Sequence, residues 1–93
     1  MKVLDPKKFK GATPDQLQKM AELSSIMLNN IGTCYYHGYD WMKAEIFLNE
    51  ALIINPRYVK ALHKRALARY EMKRYEEAFE DIKLAFSLDR ANG

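Results

Sequence analysis

The sequence repeats itself with a period of 34 residues. At that shift Leu28 falls on Leu62, Gly32 on Ala66, Tyr36 on Tyr70 and Trp41 on Tyr75. Ala44 falls on Ala78, Leu48 on Ile82, Ala51 on Ala85, Leu52 on Phe86, Ile54 on Leu88 and Asn55 on Asp89. Every pair agrees in size or chemistry. A period of roughly 20–50 residues marks stacked copies of one supersecondary unit, because a single unit cannot bury its own apolar face.

Each unit reads as two helices. Thr13-Pro14-Asp15-Gln16 has a capping residue, a proline suited to the first turn and a glutamine able to close a capping box. Leu17, Met20, Leu23, Met27, Leu28 and Ile31 then follow at helical spacing, and Gly38 reads as the stop. That gives a first helix of about 24 residues, about 36 Å long at 1.5 Å per residue. Asp40 can cap a second helix running to Ile54, where Asn55-Pro56 ends it because a residue before proline avoids helical angles. A third helix is expected over residues 58–72 and a fourth over 74–88, with Asn92-Gly93 as a frayed tail. Residues 1–12 have no period and read as an extended arm bearing Lys2, Lys7, Lys8 and Lys10. No strand pattern competes. The fold class is therefore all-α: antiparallel helix-turn-helix repeats stacked as a short right-handed superhelix. The expected division is an arm over 1–12, a lead-in over 13–24, and units over 25–58 and 59–92.

Composition removes whole classes of function. With 93 residues, 48% hydrophobic content and a net charge of +3, the chain is one small ordered domain. A single cysteine excludes a disulfide framework and a Cys-only zinc site. No run approaches the roughly 18 apolar residues of a membrane span, and no signal-peptide pattern is present. The expected setting is soluble and cytoplasmic. Cys34, His37 and His63 do not form a convergent set of about four zinc ligands, so no metal is expected, and Cys34, following the small Thr33 near a helix interface, reads as a buried thiol. No nucleophile sits beside a base and an orienting acid, so neither an enzyme nor a cofactor is expected.

The period and the helix pairs lead to a family. Leu28, Ile31-Gly32, Tyr35, Ala44, Leu48 and Pro56, then Leu62, Arg65-Ala66, Ala78 and Ile82, resemble the tetratricopeptide-repeat signature over about residues 25–92. Arg65 and Arg69 stand where Leu and Tyr are usual, and Arg90 stands where Pro is usual. The small residues Gly32, Ala44, Ala51, Ala66, Ala78 and Ala85 would let helices cross closely. Leu28, Trp41, Leu48, Leu62, Tyr75 and Ile82 would fill the space around them.

Function must be argued from the site rather than the fold. In a stack of helix pairs, the first helix of each pair lines the inner surface. That stripe carries Asn29, Asn30, Thr33, Tyr36 and His37 in one unit, and Lys60, His63, Lys64, Leu67, Tyr70 and Glu71 in the next. Lys60 and Lys64 lie one helical turn apart, where their mutual repulsion would become attraction around a shared anion. With Asn30 they make a carboxylate-binding constellation, and His63 and Tyr70 can pack on apolar side chains of a peptide.

Leu28-Asn29-Asn30-Ile31-Gly32-Thr33-Cys34 and Tyr58-Val59-Lys60-Ala61-Leu62-His63-Lys64-Arg65-Ala66 also resemble the second and third repeats of carboxylate-clamp domains. Such domains occur in co-chaperones and large immunophilins and bind the acidic EEVD tails of cytosolic heat-shock chaperones. The resemblance implies clamp roles for Asn30, Lys60 and Lys64, within a peptide-binding set that includes Thr33, Tyr36, His63 and Leu67. A clamp domain has three repeats, whereas this sequence presents two and a lead-in, so the expected clamp is partial. The expectation is a fragment, a natural short form, or a wall completed by a partner.

Two other readings stand beside it. Leu17, Met20, Leu23 and Met27 on the first helix, and Phe79, Ile82, Phe86 and Leu88 on the last, would leave apolar faces open to self-association. Such a module would be an oligomerising fragment with no peptide ligand. Residues 57–74 hold seven Lys/Arg against Glu71 alone, a basic stretch compatible with nucleic acid. Glu76, Glu77, Glu80 and Asp81 follow at once, and the domain is amphoteric rather than basic, which argues against nucleic acid.

Overall fold

The computed structural model describes residues 13–92. The expected arm over 1–12 and Gly93 lie outside them. Four helices follow in order: α1 Pro14–His37, α2 Trp41–Ile54, α3 Val59–Glu71 and α4 Tyr75–Asn92. Among the described residues there is no strand.

The helix starts follow from side chains that satisfy free backbone donors. At α1 the capping box closes in both directions. Gln16 N–H donates to Thr13 Oγ1 at 3.1 Å, and Thr13 N–H donates to Gln16 Oε1 at 3.0 Å. At α2, Lys43 N–H donates to Asp40 Oδ1 at 3.2 Å. The α2–α3 turn is held by Asn55, whose Oδ1 accepts from Arg57 N–H and whose carbonyl accepts from Tyr58 N–H.

The two turns inside the repeats are copies of each other. Asp40 N–H donates to Tyr35 O and Tyr39 N–H to Tyr36 O; likewise Arg74 N–H donates to Arg69 O and Lys73 N–H to Tyr70 O. This pair of bonds is a Schellman cap, which needs one residue in the left-handed region. That residue is Tyr39 at φ 65° and Lys73 at φ 64°, 34 positions apart. Gly38, expected as the stop, is the C-cap but has φ −86°, so the left-handed residue is its successor.

Helices α1 and α2 pack together, as do α3 and α4; α3 also packs on α2 and touches α1. Ala44, Leu48, Ala51, Leu52, Ala61, Leu62, Ala68, Ala85 and Leu88 form the buried core, with Leu28, Trp41, Tyr58 and Val59 packed against it. Gly32 sits at the α1–α2 crossing, where a Cβ would lie 2.8 Å from Leu48 Cγ and 3.1 Å from Ala44 O. Only glycine fits that approach without displacing α2.

Three details differ from the sequence reading. α4 runs on to Asn92, four residues past the expected Leu88. Position 90 explains it: Arg90 is the repeat counterpart of Pro56, so nothing removes a backbone donor there. Leu88, expected to be open, is buried. Ile82 and Tyr75, expected to fill the core, are 43% and 53% exposed, whereas Leu48, the counterpart of Ile82, is 0% exposed. The cause is position in the stack: α3 covers α2, and among the described residues no helix covers α4 in the same way.

Candidate functional site

The basic stretch over 57–74 separates into two populations. Arg65, Arg69 and Arg74 turn toward α2 and α4. Arg65 Nε and Nη2 grip the two oxygens of Asp81 at 2.9 and 2.7 Å, and its Nη1 donates to Asn49 Oδ1 at 2.9 Å. Arg69 bridges Glu45 at 2.7 Å and Asp81 at 3.0 Å. Arg74 donates to Glu45 Oε1 at 2.7 Å and also to Glu77. These are charge-assisted contacts, the bidentate Arg65–Asp81 pair being the most geometrically specific. Burial by itself raises the Glu45 carboxyl, but the hydrogen bonds and charges of Arg74 and Arg69 outweigh it and hold Glu45 below its usual range.

The second population takes no carboxylate partner among the described residues: Arg57 and Lys73 in the turns, and Lys60 and Lys64 on α3. Lys60 is exposed, and Lys64 is half-buried with its ammonium 5.5 Å above the Tyr36 ring. Among the described residues, no carboxylate lies within ion-pair distance of either lysine. A lysine over an aromatic face keeps its charge while its stem is fixed. Tyr36 therefore ties Lys64 of α3 to α1 and orients it.

The remaining expected residues fall on the same two helices. Asn30 on α1 is exposed, with no side-chain partner among the described residues. Its neighbour Asn29 is turned inward and buried, and the Asn29 Oδ1 has no hydrogen-bond partner there. Thr33 is half-buried, and its hydroxyl donates to Asn29 O at 2.8 Å, so its proton is engaged within α1. His63 and Leu67 are exposed on α3, one and two turns along from Lys60. Beside Lys60 a cleft of about 380 Å³ opens between α1 and the α2–α3 turn, lined by Glu22, Ser25, Ile26, Asn55, Tyr58 and Val59. Ile26 and Val59 make part of its wall apolar, next to a cation and the amide of Asn55.

Cys34, expected as a buried thiol, is exposed, whereas its repeat counterpart on α3, Ala68, is fully buried. No cluster of three or more His, Cys, Asp or Glu side chains able to hold a metal occurs among the described residues. No helix there is long and apolar enough to cross a membrane.

Sequence reasoning read Arg65 and Arg69 as departures from a pattern and missed the acceptors Glu45, Asn49, Asp81 and Glu77. The signal was present in the repeat alignment. Positions 31, 35 and 47 are Ile, Tyr and Phe, whereas their counterparts 65, 69 and 81 are Arg, Arg and Asp. Three apolar positions change together into two cations and an anion.

No family model matches the chain. Among characterised proteins, it is 33% identical over 69 residues to the BBSome complex member BBS4 of Xenopus tropicalis, a match covering 74% of this chain and 13% of that protein. It is 27% identical over 88 residues to FK506-binding protein 59 of Drosophila melanogaster, covering 91% of this chain and 20% of that protein. The chain thus spans a fifth or less of the length of each of these relatives. Together with the four stacked helices, the similarities fit a tetratricopeptide-repeat-like domain.

Proposed function

We propose that this two-repeat domain binds the acidic C-terminal tail of a heat-shock chaperone, as a co-chaperone or a part of one, through a partial carboxylate clamp of Asn30, Lys60 and Lys64. One observation carries the reading. Of the seven basic residues crowded into 57–74, three arginines are neutralised inside the fold; of the four with no carboxylate partner among the described residues, Arg57 and Lys73 lie in turns, whereas Lys60 and Lys64 share α3. They stand one turn apart on α3, and Asn30 is exposed on α1, the helix that Lys64 reaches through Tyr36. An incoming carboxylate would relieve their repulsion and accept from both ammonium groups, while the Asn30 amide would donate to the same group or to the peptide backbone. His63 and Leu67 offer an apolar margin, and Tyr36, within the same peptide-binding set, holds Lys64 in place. The similarity to an FK506-binding protein supports the reading, because the sequence resemblance already ran to large immunophilins. The internal neutralisation of the arginines weighs against nucleic acid, since the basic stretch is not a continuous stripe.

Calorimetric titration of the chain with an acidic EEVD-ending peptide tests the proposal against the same peptide amidated at its C-terminus. The free acid binds and the amide binds at least tenfold more weakly. Affinity falls as salt rises, because the charges are exposed. Lys64→Glu abolishes binding while leaving the helical circular dichroism unchanged. Equal affinity for the acid and the amide refutes the clamp.

A further inference from the structure

The joint between the two repeats shows how a helix covers the face that α4 leaves exposed among the described residues. On α2, Leu48 is 0% and Leu52 8% exposed. Their counterparts on α4, Ile82 and Phe86, are 43% and 62% exposed. Glu45 and Asn49 on α2 bind arginines of α3, whereas their counterparts on α4 are Phe79 and Lys83. So α4 presents the α2 surface again, with a carboxylate replaced by a phenyl ring. Lys83 pairs with Glu80 at 3.4 Å and lies over the Phe79 ring at 5.2 Å, which leaves its stem available for packing.

The covering half of the joint is also repeated. On α3, Ala61 and Ala68 are fully buried. Their counterparts on α1 are Met27, which is 57% exposed, and Cys34, which is exposed. Between them lies Ile31, counterpart of Arg65, and Met20 and Leu23 extend the exposed apolar stripe toward the N-terminus of α1. The polar partners of the internal joint have changed on both sides together: the Arg69–Glu45 pair has become Tyr35 on the covering helix and Phe79 on the covered one, and the Arg65–Asn49 pair has become Ile31 and Lys83. A surface that lost only one of these would face an unpaired charge.

We infer that the chain stacks head to tail on a second copy of itself, α1 of one copy covering α4 of the next as α3 covers α2 within the chain. Continuity with the internal joint is the argument for this occupant. The element that fits α4 must stand where α3 stands on α2, and the repeat equivalent of α3 among the described residues is α1, whose Met27 and Cys34 are exposed. One contact then buries Ile82 and Phe86 of one copy against Met27 and Ile31 of the other. The contact joins two different faces, so it is heterologous and propagates rather than closing. The inference is independent of the peptide site, because Lys60 and Lys64 lie on neither face.

Sedimentation velocity of the full chain under reducing conditions, over a hundredfold concentration range, tests it. The weight-average mass rises past that of a dimer without a plateau. Phe86→Glu and Met27→Glu are each monomeric, and both retain helical circular dichroism because both positions are exposed. Mixed in equal amounts, the two variants form a dimer and nothing larger, since only one intact face of each remains. Alkylation of Cys34 slows as the wild-type chain associates. A monomeric wild type at every concentration overturns the inference. So does a Met27→Glu variant that still dimerises, which means α4 pairs with α4, or a Phe86→Glu variant that does so, which means α1 pairs with α1. Peptide titration of Phe86→Glu gives the wild-type affinity, so failure of either proposal is read separately.

Discussion

Tyr35 stacks on Phe47 with ring centroids 5.4 Å apart and planes 10° from parallel. Thirty-four residues on, Arg69 donates to Asp81 at 3.0 Å. The same place in the repeat is thus filled once by an aromatic pair and once by an ion pair. The difference lies in the surroundings. Arg69 and Arg65 also reach Glu45 and Asn49 on α2, so the ionic version binds three helices where the aromatic version binds two. Removing one member of a mostly buried pair costs more than replacing the whole pair by apolar residues, because it strands a desolvated charge. Asp81→Phe is therefore expected to destabilise the domain by about 3 kcal/mol. Adding Arg65→Ile and Arg69→Tyr, the residues of the first repeat, restores most of that loss. Urea melts of the single and triple variants check this; a triple variant no more stable than Asp81→Phe contradicts it.

Among the elements, the turns inside the repeats bear the clearest strain. Tyr39 and Lys73 adopt left-handed angles that disfavour a Cβ by about 1–2 kcal/mol. The Schellman bonds of both turns hold them there. Glycine at either position removes the clash but adds unfolded-state entropy. The net gain expected for Tyr39→Gly is smaller than for Lys73→Gly, because the Tyr39 ring also packs edge-on against Trp41 at 6.1 Å. Lys73→Gly is expected to raise stability by about 0.5–1 kcal/mol, read as a higher melting temperature. A lower one means that the Lys73 side chain has a role the turn geometry does not show.

At the scale of the whole molecule, Glu45 is the point where α2 meets α3 and the turn before α4, through Arg69 and Arg74. Its carboxyl is held below the ordinary value of 4.5 in the folded chain. A depressed carboxyl contributes stability above its unfolded value, and that contribution is lost as pH falls through the folded one. The domain is expected to be least sensitive to pH between 6 and 8, roughly the usual plateau, and to lose melting temperature as pH drops below about 4.5. Glu45→Gln flattens that acid limb and lowers the plateau. An unchanged acid limb in Glu45→Gln means that other carboxylates set it.

The sequence by itself determined the repeat, the four helices and most of their ends. Those features are local: a capping box at Thr13, an Asp40 cap, a proline after Asn55, and apolar residues at helical spacing. It also placed Asn30, Lys60 and Lys64 on exposed or half-exposed positions of the two first-of-pair helices, because helical periodicity alone sorts residues by face. Tertiary structure decided which charges remain open. Arg65, Arg69 and Arg74 looked like the same basic surface as Lys60 and Lys64, and only the approach of α2 and α4 neutralises the former and leaves the latter. It likewise decided that Leu48 is buried while Ile82 is not. The two residues are equivalent in local pattern, and burial depends on whether another helix lies across them, which no local pattern encodes.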